Sequence, residues 1–360
     1  MTLVDLFCGC GGFSLGAHNA GFKVGAAFDI DPILTSSFSR NFRDTKLHLR
    51  DVSALTGEQI QRLVQSPITG VFGGPPCQGF SDIGRRDASD PRRQLLGHFF
   101  RIVNEIKPLF FVMENVKGLS YPDAKEVLDK ALSQVNGSYD IFGPHIFDAA
   151  DFGAATRRRR LFVIGFKKEL GIDFGLDDLK AYQQAPSTVK AAIEDLAQAK
   201  FIKNDDKNFD VWQITKKGRP FDYARKMRDA DGCFTGHRIV DHKPDVVERF
   251  SSVLPGRTDK VGRHPRLDWT KQCPTLRAGT GADKGSRQAV RPIHPSENRV
   301  ITVREAARLQ GFPDRHVFHP TIWHSFRMIG NSVSPIIAEA IFSAIKAKVD
   351  AYQETPIAAE

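Results

Sequence analysis

The sequence reads as an α/β protein, a doubly wound and mainly parallel sheet with a smaller, loop-rich unit set into it. Three observations predict this. Short apolar runs alternate with helix-patterned stretches through the first half, the βαβ rhythm of a parallel sheet. A glycine-rich turn, Gly9 to Gly12, directly follows the first apolar run and precedes the first helical pattern. Between about residues 170 and 295 the periodicity weakens among Pro, Gly, Lys and Arg, and a strong helical pattern returns at 302.

LVDLF (3–7) is a buried strand, Phe13 to Ala20 a helix, and KVGAAFDI (23–30) a second strand. PILTSSFSRNF (32–42) is helical, with Asp31 as its cap and Pro32 in its first turn. A third strand precedes Asp51. VFGG (71–74), LFFVMEN (109–115) and LFVIGF (161–166) are further strands, and HFFRIVNEI (98–106) is a helix between two of them. TVREAARLQGF (302–312) and PIIAEAIFSAIKAKV (335–349) are helices, and residues from Ala351 form a frayed tail. The expected organisation is a discontinuous domain of 1–170 plus 300–350, interrupted by a unit at 171–299.

Composition excludes several classes. Of the 360 residues, 41% are hydrophobic and 26% charged, the balance of a globular protein with a sizeable core. The N-terminus lacks a basic leading region, and no run reaches the ~18 apolar residues of a membrane helix. Five cysteines at irregular spacing make a poor disulfide framework and point to a reducing compartment, the cytosol or, in a eukaryote, the nucleus. Cys8-x-Cys10 has no second pair at zinc spacing, so no metal site is expected. The net charge is +9, and residues 201–300 hold 21 Lys and Arg against 13 Asp and Glu. A basic segment beside a nearly neutral remainder fits a polyanionic partner; it also fits a merely solvated surface.

In a doubly wound fold, ligands bind at the carboxyl ends of the strands, beside the glycine turn. The nicotinamide fingerprint asks for a third glycine where this chain has Ser14, which weakens a dehydrogenase reading. Asp29, at the end of the second strand, suits a ribose with free hydroxyls, and Asp51 suits an adenine amino group. Asp31 reads as a helix cap.

GGPPCQGFS (73–81) carries Cys77 on a stiff support just after a strand. The cysteine is either a small buried thiol or a nucleophile, and Arg85, Arg86, Arg92 and Arg93 nearby favour a thiolate. Glu114 ends an apolar strand, where desolvation raises a carboxyl pKa and lets it act as an acid. In TRRRRLFVIG (156–165), Arg158 and Arg160 share one side of a strand.

Taken together, DLFCGCGGF (5–13), GGPPCQGFS (73–81), ENVKG (114–118), RRRRLFVIG (157–165), REAARLQGFPD (304–314) and GNSVSP (330–335) resemble, in order and over nearly the whole chain, the DNA cytosine-5 methyltransferases. The resemblance implies a Rossmann-like class I methyltransferase sheet. It also implies a methyl transfer from S-adenosylmethionine, leaving S-adenosylhomocysteine, to C5 of a cytosine flipped out of duplex DNA. Cys77 matches the nucleophile that attacks C6, Glu114 the carboxyl that holds and protonates N3, and Arg160 the arginine that orients the base, with Arg158 its partner in the motif. Phe7, Gly9, Cys10, Gly11, Asp29, Ile30, Asp51, Val52, Leu95, Asn331 and Val333 match the cofactor pocket. Gln78, Ser81, Arg85, Arg86, Thr275 and Arg277 fall where DNA contacts are implied, the last two in CPTLRAGTG (273–281) of a target-recognition unit. Asp29 replaces the usual Glu, Thr156 the usual Gln, and Cys8 a usual small residue.

A restriction-modification or solitary bacterial methylase follows from this, a monomer on DNA in the cytoplasm and nucleoid, with a cognate endonuclease as possible partner at the same site. Three alternatives stand beside it. Cys233-Phe234-Thr235 is similar to a short motif of the tRNA-methylating branch; a non-catalytic relative would keep the fold; a dehydrogenase would need the missing glycine.

Overall fold

The computed structural model describes residues 1–76, 94–205, 207–215, 220–279 and 290–354. The first part runs β1 (Thr2–Leu6), α1 (Gly12–Asn19), β2 (Lys23–Asp29), α2 (Phe38–Asn41), β3 (Lys46–Leu49), α3 (Gly57–Val64), β4 (Ile68–Gly73), α4 (Gln94–Ile106), β5 (Phe110–Val116), α5 (Pro122–Leu132), β6 (Tyr139–Asp148) and β7 (Arg159–Lys167). These strands form one sheet in the order β3-β2-β1-β4-β5-β7-β6. The pairs from β3 through β5 are parallel; β7 runs antiparallel between β5 and β6. Strand order reverses between β1 and β4, and the crevice outside their carboxyl ends is the default ligand site of such a sheet.

The period of two along β1 sorts its side chains between two cores. Leu3 packs with Phe13 and Phe72 under α1, while Val4 and Leu6 pack with Phe99, Phe100 and Phe111 on the α4 side. Three further helices close the chain: α10 (Val303–Gln310), α11 (Ile322–Asn331) and α12 (Pro335–Glu354). α12 lies along α1, so close that a Cβ on Gly16 would sit 2.3 Å from that of Ala338. The C-terminal segment thus returns to the N-terminal strand, as the sequence predicts.

Between the two parts lie α6 (Leu176–Lys180), α7 (Val189–Ile193), β8 (Ala199–Asn204), β9 (Asp210–Ile214), α8 (Asp222–Met227), β10 (Cys233–Thr235) and α9 (Pro244–Ser251), with an antiparallel sheet ordered β10-β9-β8. This segment shares its core with the rest: Ile193, Leu196, Phe234 and Leu276 pack in one cluster with Phe38, Ala307 and Phe312.

Three expectations need correction. The stretch 32–42 is helical only over α2, because side chains satisfy the backbone locally instead. The Asp31 carboxylate accepts from the N–H groups of Ile33 and Leu34 at 2.8 and 3.0 Å, and the hydroxyls of Thr35 and Ser36 donate to the carbonyls of Asp31 and Ile33. α12 continues through Glu354, four residues into the expected tail; residues 355–360 lie outside the described ones. The Ile322–Glu354 stretch does reach the length and apolarity of a membrane span, but most of its apolar part is buried inside the protein. That apolarity is accounted for by core packing against α1 and the sheet.

Candidate functional site

Two features meet at the carboxyl ends of the central strands. The first surrounds Glu114. Antiparallel pairing sets Val116 of β5 opposite Arg160 of β7, and this register brings the Arg160 Nε within 3.0 Å of Glu114 Oε1. Glu114 is 8% exposed. Burial pushes its pKa up, and the guanidinium charges of Arg160 and Arg158 temper the rise. Such a carboxyl is poised to hold a proton for a ring nitrogen while its neighbour cation steadies the charged form.

The backbone of β4 arrives at the same place. A Cβ on Gly74 would lie 3.0 Å from Glu114 Oε2, so any larger residue here would press on the carboxyl. The Asn115 amide donates to the Pro75 carbonyl at 3.1 Å, fixing the direction in which the chain leaves the strand. Cys77, Gln78, Ser81, Arg85, Arg86, Arg92 and Arg93 lie outside the described residues. Asn115, not singled out from the sequence, tethers the chain at Pro75, just after β4.

Arg158 differs from expectation. Alternation holds, with Arg157 and Arg159 exposed and Arg158 and Arg160 turned in, but Arg158 is 1% exposed. Its guanidinium donates to the carbonyls of Leu276 and Gly330 at 3.2 and 2.8 Å, and its own N–H donates to Asp148 at 2.7 Å. It ties the 273–279 segment to the end of α11. Thr156 and Thr275 belong to the same clasp. Their hydroxyls donate to the carbonyls of Cys273 and Arg157 at 3.1 and 2.7 Å, which gives Thr156 a structural use. Arg277 is exposed beside this clasp.

The second feature is the glycine turn. Phe7, Gly9 and Gly11 all have left-handed backbones, with φ of 68°, 51° and 85°. Space at Gly9 is open, with no atom within 4 Å of a Cβ built there, whereas a Cβ on Gly12 would strike the Ser332 hydroxyl at 2.0 Å. The turn therefore presents bare backbone on one side and packs against the Asn331–Val333 segment on the other. Asp29 shapes it from β2: one carboxylate oxygen accepts the Gly9 N–H at 2.8 Å and the other the Asp31 N–H at 2.9 Å. Burial raises the Asp29 pKa. Beside it Ile30 and Leu49 are 67% and 53% exposed, an apolar pair next to a carboxylate.

These residues fit an adenosyl group: carboxylate acceptors for hydroxyls, apolar side chains for a purine, and open glycine backbone. The Asp51 carboxylate caps a turn through the Ser53 N–H at 2.8 Å and is exposed; Leu95 is half-buried in the first turn of α4. Asn331 is exposed at the end of α11, and Val333 is buried. Three of the expected pocket residues, Val52, Cys10 and Val333, have their side chains in the core. Val52 is 2% exposed, and Cys10, also 2% exposed, has its thiol 3.5 Å from the Met328 carbonyl and pushed up to about 12 by burial. Cys8 is likewise buried and raised, consistent with packing.

Asp5 and His316 are not legible as site residues in the sequence. Asp5, 1% exposed, accepts from the Ser14 hydroxyl at 2.5 Å beneath the turn, so Ser14 stands at the third-glycine position for a reason. The only signal is that departure from the fingerprint. His316 Nε2 lies 3.1 Å from the Cys10 carbonyl, a contact between segments 306 residues apart that no local pattern announces.

Comparison with known proteins agrees with this geometry. The profile of C-5 cytosine-specific DNA methylases matches residues 1–347. The type II methyltransferase M.XorII of Xanthomonas oryzae is 39% identical over 94% of this chain and 82% of its own. M.DdeI of Desulfomicrobium norvegicum is 29% identical over 95% of this chain and 87% of its own. A crystal structure of an E. coli prophage-encoded protein described as a DNA modification methyltransferase superposes with a TM-score of 0.83 at 39% identity, covering 97% of this chain and 99% of that one. The S. pombe Dnmt2 methyltransferase, at 18% identity and a TM-score of 0.64 over 98% and 99% of the two chains, shares the fold.

Proposed function

The chain belongs to the C-5 cytosine-specific DNA methylase family, and from that premise we propose how its own residues divide the work of methylating cytosine in duplex DNA. It is a DNA cytosine-5 methyltransferase of the type II restriction-modification kind. Cys77 is the nucleophile: its thiolate adds to C6 of a cytosine drawn out of the helix. A stacked base is out of reach of both a thiol and a carboxyl that meets the pairing edge. Glu114 holds N3 and shares a proton with it, so that the ring accepts the thiolate. Arg160 holds Glu114 and the base in register. Loss of the C5 proton and elimination of Cys77 then restore the enzyme.

S-adenosylmethionine, when bound, supplies the electrophilic methyl group that C5 takes. Asp29 and the backbone at Phe7, Gly9 and Gly11 would hold it, with Ile30 and Leu49 flanking the purine, Asp51 and Leu95 at its edge, and Asn331 and Val333 closing the side. DNA binds across Thr275, Arg277 and the basic 201–300 segment, and Gln78, Ser81, Arg85 and Arg86 approach it from the Cys77 loop. The unit at 171–299 reads the target sequence, and 1–170 with 300–350 carries out the chemistry, on one protein monomer per site. A cytoplasmic setting, where the DNA is, follows from the bacterial relatives.

The observation that carries this reading is the 3.0 Å pairing of buried Glu114 with Arg160, beside Gly74 where the chain leaves β4. Bisulfite sequencing of plasmid from cells expressing wild type or Cys77→Ser tests it. Conversion-resistant cytosines at one short motif, absent in the variant, are expected. Equal methylation by both proteins would remove Cys77 from the mechanism, and transfer to tRNA in preference to duplex DNA would change the substrate.

A further inference from the structure

His316 sits beneath the glycine turn, in the loop after α10, and any role it has there depends on the assignment of that turn to S-adenosylmethionine. The imidazole is 2% exposed and lies against the rings of Phe312, Phe318 and Phe42, with centroids 4.7, 5.0 and 6.0 Å away. Its Nε2 is 3.1 Å from the carbonyl oxygen of Cys10. A carbonyl only accepts, so the ring proton belongs on Nε2. Burial, reinforced by the Arg304 charge, pushes the ring pKa down to about 3, which leaves it neutral with that single N–H.

The neighbours leave this proton to Cys10. The Asn41 amide nitrogen, 3.2 Å from the same Nε2, is a donor and cannot accept this proton; it donates to the Val317 carbonyl at 2.8 Å, and the amide oxygen accepts the Val317 N–H at 2.9 Å. Asn41 thus clamps the chain one residue further on. Arg304, 0% exposed, fixes the loop from the other side: its guanidinium donates to the carbonyls of His316, Pro313 and Thr235 at 2.8, 2.9 and 3.0 Å. Thr235 ends β10 of the inserted segment, so His316 stands between that segment and the cofactor turn. The turn is held at Gly9 by Asp29 and at Gly11 by the Cys8 carbonyl, which accepts its N–H at 2.9 Å; His316 adds the hold on the Cys10 carbonyl between them. The turn's residues on either side of Cys10 have left-handed backbones, and Phe42, which touches His316, also fills the space a Cβ on Gly11 would need, at 2.2 Å.

We propose that His316 is a positioning residue for cofactor binding: its Nε2–H fixes the Cys10 carbonyl, and with it the Gly9–Gly11 backbone that S-adenosylmethionine would meet. A histidine that merely filled the core would be replaceable by an apolar residue without loss. The test uses the full-length protein with S-adenosylhomocysteine as probe in calorimetry, and a duplex carrying the methylated motif in a separate titration. His316→Leu should weaken S-adenosylhomocysteine roughly tenfold or more, the effect of one lost buried hydrogen bond, and raise KM for S-adenosylmethionine alike. kcat at saturation and affinity for the duplex should stay within about threefold. His316→Gln, which restores an N–H at the same reach, should recover most of the affinity.

A folded His316→Leu with wild-type affinity would overturn the proposal, as would a Gln variant no better than Leu. Wild-type protein labelled with 15N-histidine gives a readout independent of variant folding. One resonance should report the Nε2–H tautomer from pH 5 to 8 and shift on adding S-adenosylhomocysteine. A His316 Nδ1–H tautomer, or a resonance indifferent to the ligand, would sink the idea. A wild type that ignored S-adenosylhomocysteine altogether would instead overturn the assignment of the turn, and the role of His316 with it.

Discussion

At the scale of single residues, the two inward arginines of the 157–160 run separate stability from chemistry. Arg158 braces two carbonyls inside the protein, whereas Arg160 pairs with Glu114. Arg158→Met should therefore cost about 2–4 kcal/mol of unfolding free energy, because buried acceptors are left unmet. Arg160→Met should cost less stability, because Glu114 can take up a proton once its counter-charge is gone, and should lower kcat by about 100-fold or more. Thermal melts and single-turnover rates of the two variants distinguish them; equal loss of stability in both would break the division. Glu114 gives the converse case. Its native pKa is raised, so the folded state carries a penalty that is full above that pKa and fades as pH falls toward the ~4.3 of an unfolded glutamate. Glu114→Gln should accordingly be at least as stable as wild type at pH 8, lose that advantage near pH 4, and be slower by about 100-fold or more in methylation. A Gln variant markedly less stable at pH 8 would show that the Arg160 pairing outweighs desolvation.

At the scale of elements, what was legible followed from period and punctuation. Strands β1, β2, β4, β5 and β7 are apolar runs between turn residues, and α10 carries both its Thr302–Glu305 capping box and its Gly311 stop in sequence. Strand β6, mostly half-buried with only Asp140, Pro144 and Ile146 exposed, offers no apolar run and no clean alternation, and passes unnoticed. The Asp31–Ser36 turns fooled the helical pattern because hydroxyl and carboxylate bonds are invisible to hydrophobic spacing. Glu114 and Arg160 could be picked out individually, yet only antiparallel register makes them partners. Another element shows its purpose only in three dimensions. The chain from Gly256 to Arg266 folds back on itself, with Gly256 N–H on the Arg266 carbonyl at 3.0 Å and Arg266 N–H on the Arg257 carbonyl at 2.8 Å. Buried Asp259 holds its tip by accepting the Val261 and Gly262 N–H groups at 3.2 and 2.7 Å. Arg257, Lys260 and Arg263 stand exposed on it, without an ion pair among the described residues. If all three meet phosphates, replacing them with Gln should lower the slope of log affinity against log salt by about 2.7. Filter binding of duplex DNA across a salt series measures this, with S-adenosylhomocysteine affinity expected to stay unchanged. An unaltered slope would place the basic surface elsewhere in the segment.

At the scale of the whole molecule, the sequence suggests two units, and the packing argues that they unfold as one. Among the described residues, the inserted segment has no core of its own apart from a small cluster of Phe250 and Ile293 with Val300. Its larger apolar residues are shared with α2, α10 and α11. Arg308 of α10, wholly buried, reaches across to Asp195 at 2.6 Å while also pairing with Asp314 at 2.7 Å, and Lys348 of α12 meets Asp178 at 3.0 Å. Breaking such a junction would expose buried charge and apolar surface together, which couples the two halves. Scanning calorimetry should therefore show a single transition whose van't Hoff and calorimetric enthalpies agree. S-adenosylhomocysteine at about 100 times its Kd should stabilise the entire transition by about 2.7 kcal/mol, because the ligand binds only the native state. The 171–299 segment expressed alone should give no cooperative melt. Two resolved transitions, only one of which moves with ligand, would mean that the recognition unit folds independently and that the shared core is a docking surface between two autonomous bodies.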